Sequence, residues 1–168
     1  IRDRNHGLNW LEQQLKTAQT SIDMALFVFS AQQLSDALQT LANDGVRLRL
    51  LGDPGFASRP FSELLDLLGM ALPDHNCMLE AGNQPSAKAL PGIGTPRLAR
   101  GDKLHHKFAV IDNRKVNTGS FNWSPAAAHT NDETVLVIHS PQLAQNFPRE
   151  MDRMWDSAEL GITPSIQR

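Results

Sequence analysis

Apolar residues recur along the chain with two different periods, and the alternation of those periods predicts an α/β domain. Leu8, Leu11, Leu15 and Ala18 follow helical spacing, which predicts an amphipathic helix over about residues 6–19. Ser21 to Phe29 is dense in apolar and β-forming residues and reads as a buried strand. Ser30 stands where an N-cap is needed for a helix whose inner face carries Leu34, Leu38 and Leu41, and Gly45 stops it. Val46 to Leu51 follows as a second strand. Strand, helix, strand at this spacing is a βαβ unit, which requires a right-handed crossover between parallel strands. Gly52-Asp53-Pro54-Gly55 then turns at the carboxyl end of the second strand, where α/β proteins place ligand loops.

The second half is less regular. A helix over 60–69 and a short strand near 77–80 are expected, then 82–101 shows no period and contains four glycines and three prolines. A loop that long inside a domain is usually functional or disordered, and its position directly before residue 104 favours a gating role. Leu104 to Ile111, Lys115 to Thr118 and Glu133 to His139 read as strands, with a turn at Asp112-Asn113. Ser140-Pro141 opens a last helix with Leu143, Phe147, Met151 and either Met154 or Trp155 inward. The expected fold is therefore α/β: one domain over 1–168 with a mixed, largely parallel β-sheet flanked by helices on both faces.

Charge changes this picture locally. The net charge of −2 excludes a polycation that binds nucleic acid indiscriminately. Between Arg97 and Lys115, however, six basic residues stand against two acids, Asp102 and Asp112. That excess, with Arg97, Arg100 and Lys103 leading into the most informative segment, is an electrostatic funnel for an anionic substrate or a solvated charged face. One cysteine, Cys77, excludes a disulfide framework and a cysteine zinc site. The longest apolar run, Met24 to Phe29, is too short to span a bilayer. The chain opens on Ile1 rather than Met, as expected of a processed chain or of a domain from a longer protein, and the compartment stays open.

Candidate chemistry lies in Leu104-His105-His106-Lys107 through Asp112, then six residues, then Gly119-Ser120-Phe121-Asn122. Six specified positions in one register are hard to reach by chance. Alternation along a strand places His105 and Lys107 on one face, with His106 and Asp112 turned away. Asp112 is expected to act structurally. Ser120 and Asn122 share parity, and Gly119 permits a close backbone approach or a bulge. A neutral histidine can attack phosphorus and a protonated one can protonate a leaving oxygen. Lys107 and Asn122 can hold non-bridging oxygens. Glu133 is the candidate carboxylate to orient His105, although a surface glutamate at a strand entrance is the simpler reading from spacing alone. In-line displacement needs a nucleophile and an acid on opposite sides of phosphorus. With one such motif, the economical solution is two copies facing across a two-fold axis, or a second motif-bearing domain.

These residues resemble the phospholipase D superfamily, whose signature is HxK(x)4D(x)6GSxN. The resemblance extends from about residue 8 to 156: the first βαβ unit, Asn131-Asp132-Glu133 as an Asn-x-Glu strand, and the closing helix. Order and size are most similar to the family's single-motif bacterial endonuclease, which works without metal as a homodimer. The resemblance implies His105 as nucleophile, Lys107, Ser120 and Asn122 as the phosphate-binding and supporting set, and Glu133 as the group polarising His105. It implies no cofactor and no metal. The stretch 82–101 is longer than expected for that enzyme. Three readings are carried forward: a metal-independent nuclease on DNA or RNA, a phospholipid phosphodiesterase or phosphatidyl transferase, and a silent binding or dimerisation module. Cations beside the motif favour the first. Scarce aromatics and the absence of tyrosine argue against strong base stacking.

Overall fold

The strand Ser21–Leu26 is buried at every position, and the sheet grows outward from it in both directions. The computed structural model describes residues 6–164 and residue 166, so the expectation attached to Ile1 lies outside it. Helix α1 (His6–Leu15) leads into β1 (Ser21–Leu26), α2 (Gln32–Asn43) and β2 (Arg47–Gly52). Two short helices, α3 (Pro54–Ala57) and α4 (Glu63–Leu67), precede β3 (Ile93–Thr95). The hairpin β4 (Lys107–Ile111) and β5 (Lys115–Gly119), helix α5 (Pro125–His129) and β6 (Val135–His139) come next. Helices α6 (Pro141–Ala144) and α7 (Phe147–Trp155) and the short strand β7 (Glu159–Leu160) close the chain. The strands lie in the order β6-β5-β4-β1-β2-β3-β7.

The sheet is mixed, but the expectation of a largely parallel sheet is corrected. Only β1–β2 and β2–β3 run parallel, whereas β1–β4, β4–β5, β5–β6 and β3–β7 are antiparallel. The reason is connection length. A parallel pair needs a long crossover, which α2 and the α3–α4 stretch supply, but Asp112, Asn113 and Arg114 make a three-residue link that can join only antiparallel neighbours. Asp112 and Asn113 have positive φ, 51° and 53°, as a twisted hairpin turn requires.

The strand expected near 77–80 does not form. The third parallel strand lies inside the stretch read as loop, because its glycines serve close strand packing. A Cβ on Gly92 would sit 2.2 Å from Leu48 O, and one on Gly94 2.1 Å from Glu159 O. The last helix is also broken in two. Pro148 lacks an amide to bond the carbonyl of Ala144, so α7 starts afresh at Phe147. Ser30 does not cap α2; Ala31 occupies the N-cap, without a side-chain bond.

Two apolar layers hold the sheet. On one face Ile22, Met24, Leu26, Leu50, Ala109 and Ile111 pack against α1, α2, α4 and α5. On the other, Ala25, Leu51, Phe108, Val110 and Val116 pack against Met151 and Met154 of α7. Buried Asp23 takes a two-pronged bond from Arg49 at 2.9 and 2.6 Å, and Arg49 reaches Asp152 of α7 at 2.6 Å.

Helix α4 buries two acids, Glu63 and Asp66. Asp66 accepts from Gln32 Nε2 at 2.9 Å and from the Gln84 amide at 3.2 Å, fastening the 80s loop to α2. Burial, then repulsion from Asp66, pushes Glu63 up to about 9, so it keeps its proton in the folded chain. The folded state then holds a proton that the unfolded one lacks between roughly pH 4.3 and the folded value. Stability from this group is full below that window and falls as pH rises through it. Glu63→Gln is expected to flatten the decline and to raise the melting temperature at pH 8.5 by roughly 4 °C. Thermal melts of both chains at pH 5.5 and 8.5 check this; parallel declines would refute it.

Candidate active site

Regular pairing of β1 ends at Leu26, and the next four residues tie the site together. Asp53 N donates to Leu26 O at 3.1 Å, and Phe27 N donates to His106 O at 2.8 Å. Trp123 N donates to Val28 O at 3.1 Å, Ser30 N to Trp123 O at 2.9 Å, and Glu63 N to Phe29 O at 3.0 Å. A parallel bridge also joins Phe29 to Trp123. Both halves of the motif, 105–107 and 120–122, are thus anchored to one short stretch of backbone.

His105 and Lys107 project together. Lys107 Nζ lies 3.4 Å from each ring nitrogen of His105 and donates to His105 O at 3.0 Å. His105 is exposed and Lys107 half-buried. Partial burial lowers the Lys107 pKa from its ordinary value, and the charge of Glu133 works in the opposite direction. His106 faces the other layer. Its Nε2 lies 3.2 Å from Glu150 Oε1 on α7, and its ring stands against Phe108 at 5.4 Å. Hydrogen bonds from Arg153, and also His106, take Glu150 down to about 2 against the opposing effect of burial.

The second half is built on the β5–β6 register. Gly119, at φ 144°, opposes Val135, and a Cβ there would sit 2.1 Å from Thr134 O. Glycine therefore permits the close approach that puts Ser120 beside the 131–134 segment. Ser120 Oγ donates to Glu133 Oε2 and accepts from Thr134 N at 3.0 Å. Asn131 Nδ2 donates to Glu133 Oε1 at 3.1 Å. The hydrogen bonds of Glu133 thus go to Ser120 and Asn131, while its charge reaches Lys107. Asn122 Oδ1 is buried with no hydrogen-bond partner. A buried acceptor left unpaired costs about 1–3 kcal/mol, so this oxygen calls for a donor that the described residues do not supply.

Asp112 lies at the far end of β4 and serves the scaffold. Its carboxylate accepts from Gln19 N at 3.0 Å, Thr20 N and Oγ1 at 2.8 Å, and Ser21 N at 3.0 Å. Burial raises its pKa, but these bonds outweigh that and hold the carboxyl below its usual range.

The three basic residues preceding the motif separate. Arg97 and Lys103 line a cleft of about 330 Å³ whose other wall is Asp53-Pro54-Gly55. Arg97 also pairs with Glu159 at 3.2 Å. Arg100 is exposed and does not line the cleft.

Three positioning residues were given no role in the sequence reading, although two of them, Asp53 and Asn131, lay in segments it named. Phe27 lies 4.5 Å from the His105 ring, tilted by 55°, and carries Lys107 Nζ 5.0 Å from its centroid. Asp53, buried, accepts from Gly55 N and Leu104 N, each at 2.9 Å, and so ties the turn to the approach to His105. Asn131 holds Glu133. The turn signal at Asp53 and the Asn-x-Glu spacing were visible, but nothing in the sequence singles out Phe27 within an apolar run. Among the described residues no group of three or more His, Cys, Asp or Glu side chains is arranged to hold a metal ion.

Comparison with known proteins gives a consistent answer. The profile of the family described as "Cardiolipin synthase, PLD-like domain" matches residues 11–155. The human mitochondrial cardiolipin hydrolase is 32% identical over 154 residues, covering 90% of this chain and 53% of that protein. A Rickettsia typhi phospholipase D is 30% identical over 138 residues, covering 82% of this chain and 57% of that protein. The chain spans just over half the length of these relatives. Among solved structures, the phospholipase D family member Nuc from Salmonella typhimurium superposes with a TM-score of 0.72 at 24% identity, covering 90% of this chain and 88% of that chain.

The Asp112 geometry carries a stability prediction. Asp112→Ala should cost about 2 kcal/mol, since it strands several amides that had a charged acceptor. Urea unfolding at pH 7 measures it. The lowered folded pKa means that this contribution is present above the unfolded carboxylate range and is lost as pH falls through the folded value. The gap between the two chains should therefore narrow as pH falls below the ordinary carboxylate range, and a gap independent of pH would contradict the assignment.

Proposed function

The chain belongs to the phospholipase D-like domain family, and from that premise we propose that it is a phosphodiesterase acting on nucleic acid through a covalent phosphohistidine. The observation that carries the reaction type is the shared, solvent-open face of His105 and Lys107. Neutral His105 attacks phosphorus, the bond from phosphorus to the leaving alcohol breaks, and a second histidine gives its proton to that oxygen. Water then attacks phosphorus, returns a proton to the second histidine, and breaks the phosphorus–nitrogen bond. Lys107 and a donor from Asn122 hold the non-bridging oxygens as charge develops on them. Ser120 sets the position of Glu133, which stabilises the charged imidazole.

The second histidine comes from a second copy of this chain. Among the described residues His106 is taken by Glu150 on the opposite face, so it cannot serve the same phosphorus. A homodimer placing two copies of the motif across a two-fold axis supplies the missing acid. Arg97 and Lys103, beside the cleft, are assigned to flanking phosphates, with Arg100 contributing charge at longer range.

A second reading, a phospholipid phosphodiesterase, is favoured by the names of the relatives at 30–32% identity. The test is a panel of single-stranded DNA, RNA, plasmid and cardiolipin vesicles, each with and without chelator. Cleavage of the nucleic acids that survives chelator is the expected result; headgroup release alone would replace the nuclease reading with the lipid one. His105→Ala should lower turnover by about 10³-fold or more while leaving the melting curve unchanged. Added in excess to the unaltered chain and allowed to exchange, the His105→Ala chain should also quench activity by forming mixed dimers. Undiminished activity after exchange would argue for a site complete in one chain.

A further inference from the structure

The chain has seven phenylalanines and no tyrosine, so where the rings are spent is informative. Phe29, Phe108, Phe121 and Phe147 belong to or pack on the two apolar layers. Phe27, Phe56 and Phe61 belong to neither. They form a row instead. From the His105 ring, Phe27 lies 4.5 Å away, Phe56 stands edge-on 4.8 Å beyond it, and Phe61 follows at 6.4 Å. Exposure increases outward: Phe27 and Phe56 are half-buried, and Phe61 is 39% exposed. A continuous line of π-faces and edges therefore runs from the proposed nucleophile to solvent.

Cations border this row. Arg59, between Phe56 and Phe61 in sequence, is exposed, and its Nε is held by Gly55 O at 3.1 Å. On the other side of the turn, a side chain at Gly55 would meet Lys103 Nζ at 3.2 Å, so the lysine lies directly over the turn that carries Phe56. The turn itself is rigid: Asp53 caps α3 through Gly55 N and ties Leu104 N to the same carboxylate.

We infer that Phe56 and Phe61, continuing from Phe27, form a stacking platform for an unpaired base of single-stranded nucleic acid on one side of the scissile phosphate. The inference rests on the nuclease reading and deepens it by naming the strand state and the subsite. Aromatic rings interleaved with cations match a polymer that alternates π-faces with phosphates. A base in a duplex hides its faces in its own stack, so only a single strand can use the platform. Stacking is tolerant of base identity, which predicts affinity without sequence preference. A lipid's acyl chains, in contrast, would be better served by a broad apolar face than by a single row of rings.

The test uses the full chain carrying His105→Ala, so that binding is read without turnover. Two single-stranded oligonucleotides are compared, differing only in whether a nucleotide beside the central phosphate keeps its base or is abasic. The base-bearing strand is expected to bind about tenfold more tightly. Phe61→Ala should shrink that ratio to about threefold or less, Phe56→Leu with Phe61→Ala should bring it near one, and Phe61→Trp should keep or raise it. Reading a ratio separates stacking from a general loss of affinity. Should the double variant unfold, Phe61→Ala decides alone, because that ring is in neither core layer. A ratio unmoved by loss of the rings, in a chain that still cuts oligonucleotides when His105 is restored, overturns the platform and leaves the nuclease reading standing. Failure to bind or cut any oligonucleotide, with release from cardiolipin vesicles, overturns both.

Discussion

The peptide groups from Leu26 to Ser30 are the constraint on which the site depends. Within β1 the backbone pairs with β2 and β4, but from the Leu26 carbonyl onward the peptide groups answer Asp53, His106, Trp123 and Glu63. One stretch of extended chain thus fixes the turn after β2, the approach to β4, the segment after β5 and the start of α4. A buried backbone group without a partner costs more than a satisfied one contributes, so these bonds are hard to give up singly. His105 and Asn122 are 17 positions apart by number, yet both are placed by reference to residues 27–30. Bending this segment would move both halves of the motif at once.

What was legible in the sequence follows from which rules are local. Strand alternation is local, so the pairing of His105 with Lys107 and the turning away of His106 and Asp112 could be read directly. The neighbour of a strand is not local. The βαβ pattern at the start led to a largely parallel sheet, although the short turn at Asp112-Asn113 already demanded an antiparallel hairpin. Gly92 and Gly94 looked like loop residues because a glycine that admits a neighbouring backbone has the same letter as one that bends a chain. Their role appears only when Leu48 and Glu159 are alongside.

The same distinction governs the site. Ser120 and Glu133 are 13 positions apart, and their bond depends on the Gly119–Val135 register, which no spacing rule provides. Phe27 sits in a run of apolar residues where every member looks like core. Only the ending of regular pairing at Leu26 turns its ring out of the apolar layers and under Lys107. Scarce aromatics argued against base stacking in the sequence. In the folded chain the count matters less than the fact that three rings have no duty in the core.

Phosphoryl chemistry at a histidine is indifferent to what the phosphorus is esterified with, so selectivity must come from surfaces around the motif rather than from the motif. The topology separates the two. His105, Lys107, Ser120, Asn122 and Glu133 all come from β4 to β6 and their connections, the antiparallel side of β1. The turn bearing Phe56, Arg59 and Phe61 follows β2, and the wall bearing Arg97 and Lys103 follows β3, on the parallel side. The chemistry and the selective surfaces thus meet across the extension of β1 and where Asp53 holds Leu104 N. Substitutions at Phe56, Arg59, Phe61, Arg97 or Lys103 can change which phosphodiester is admitted without replacing the groups that cleave it. A family with one signature and relatives named for lipid substrates is what such a division allows.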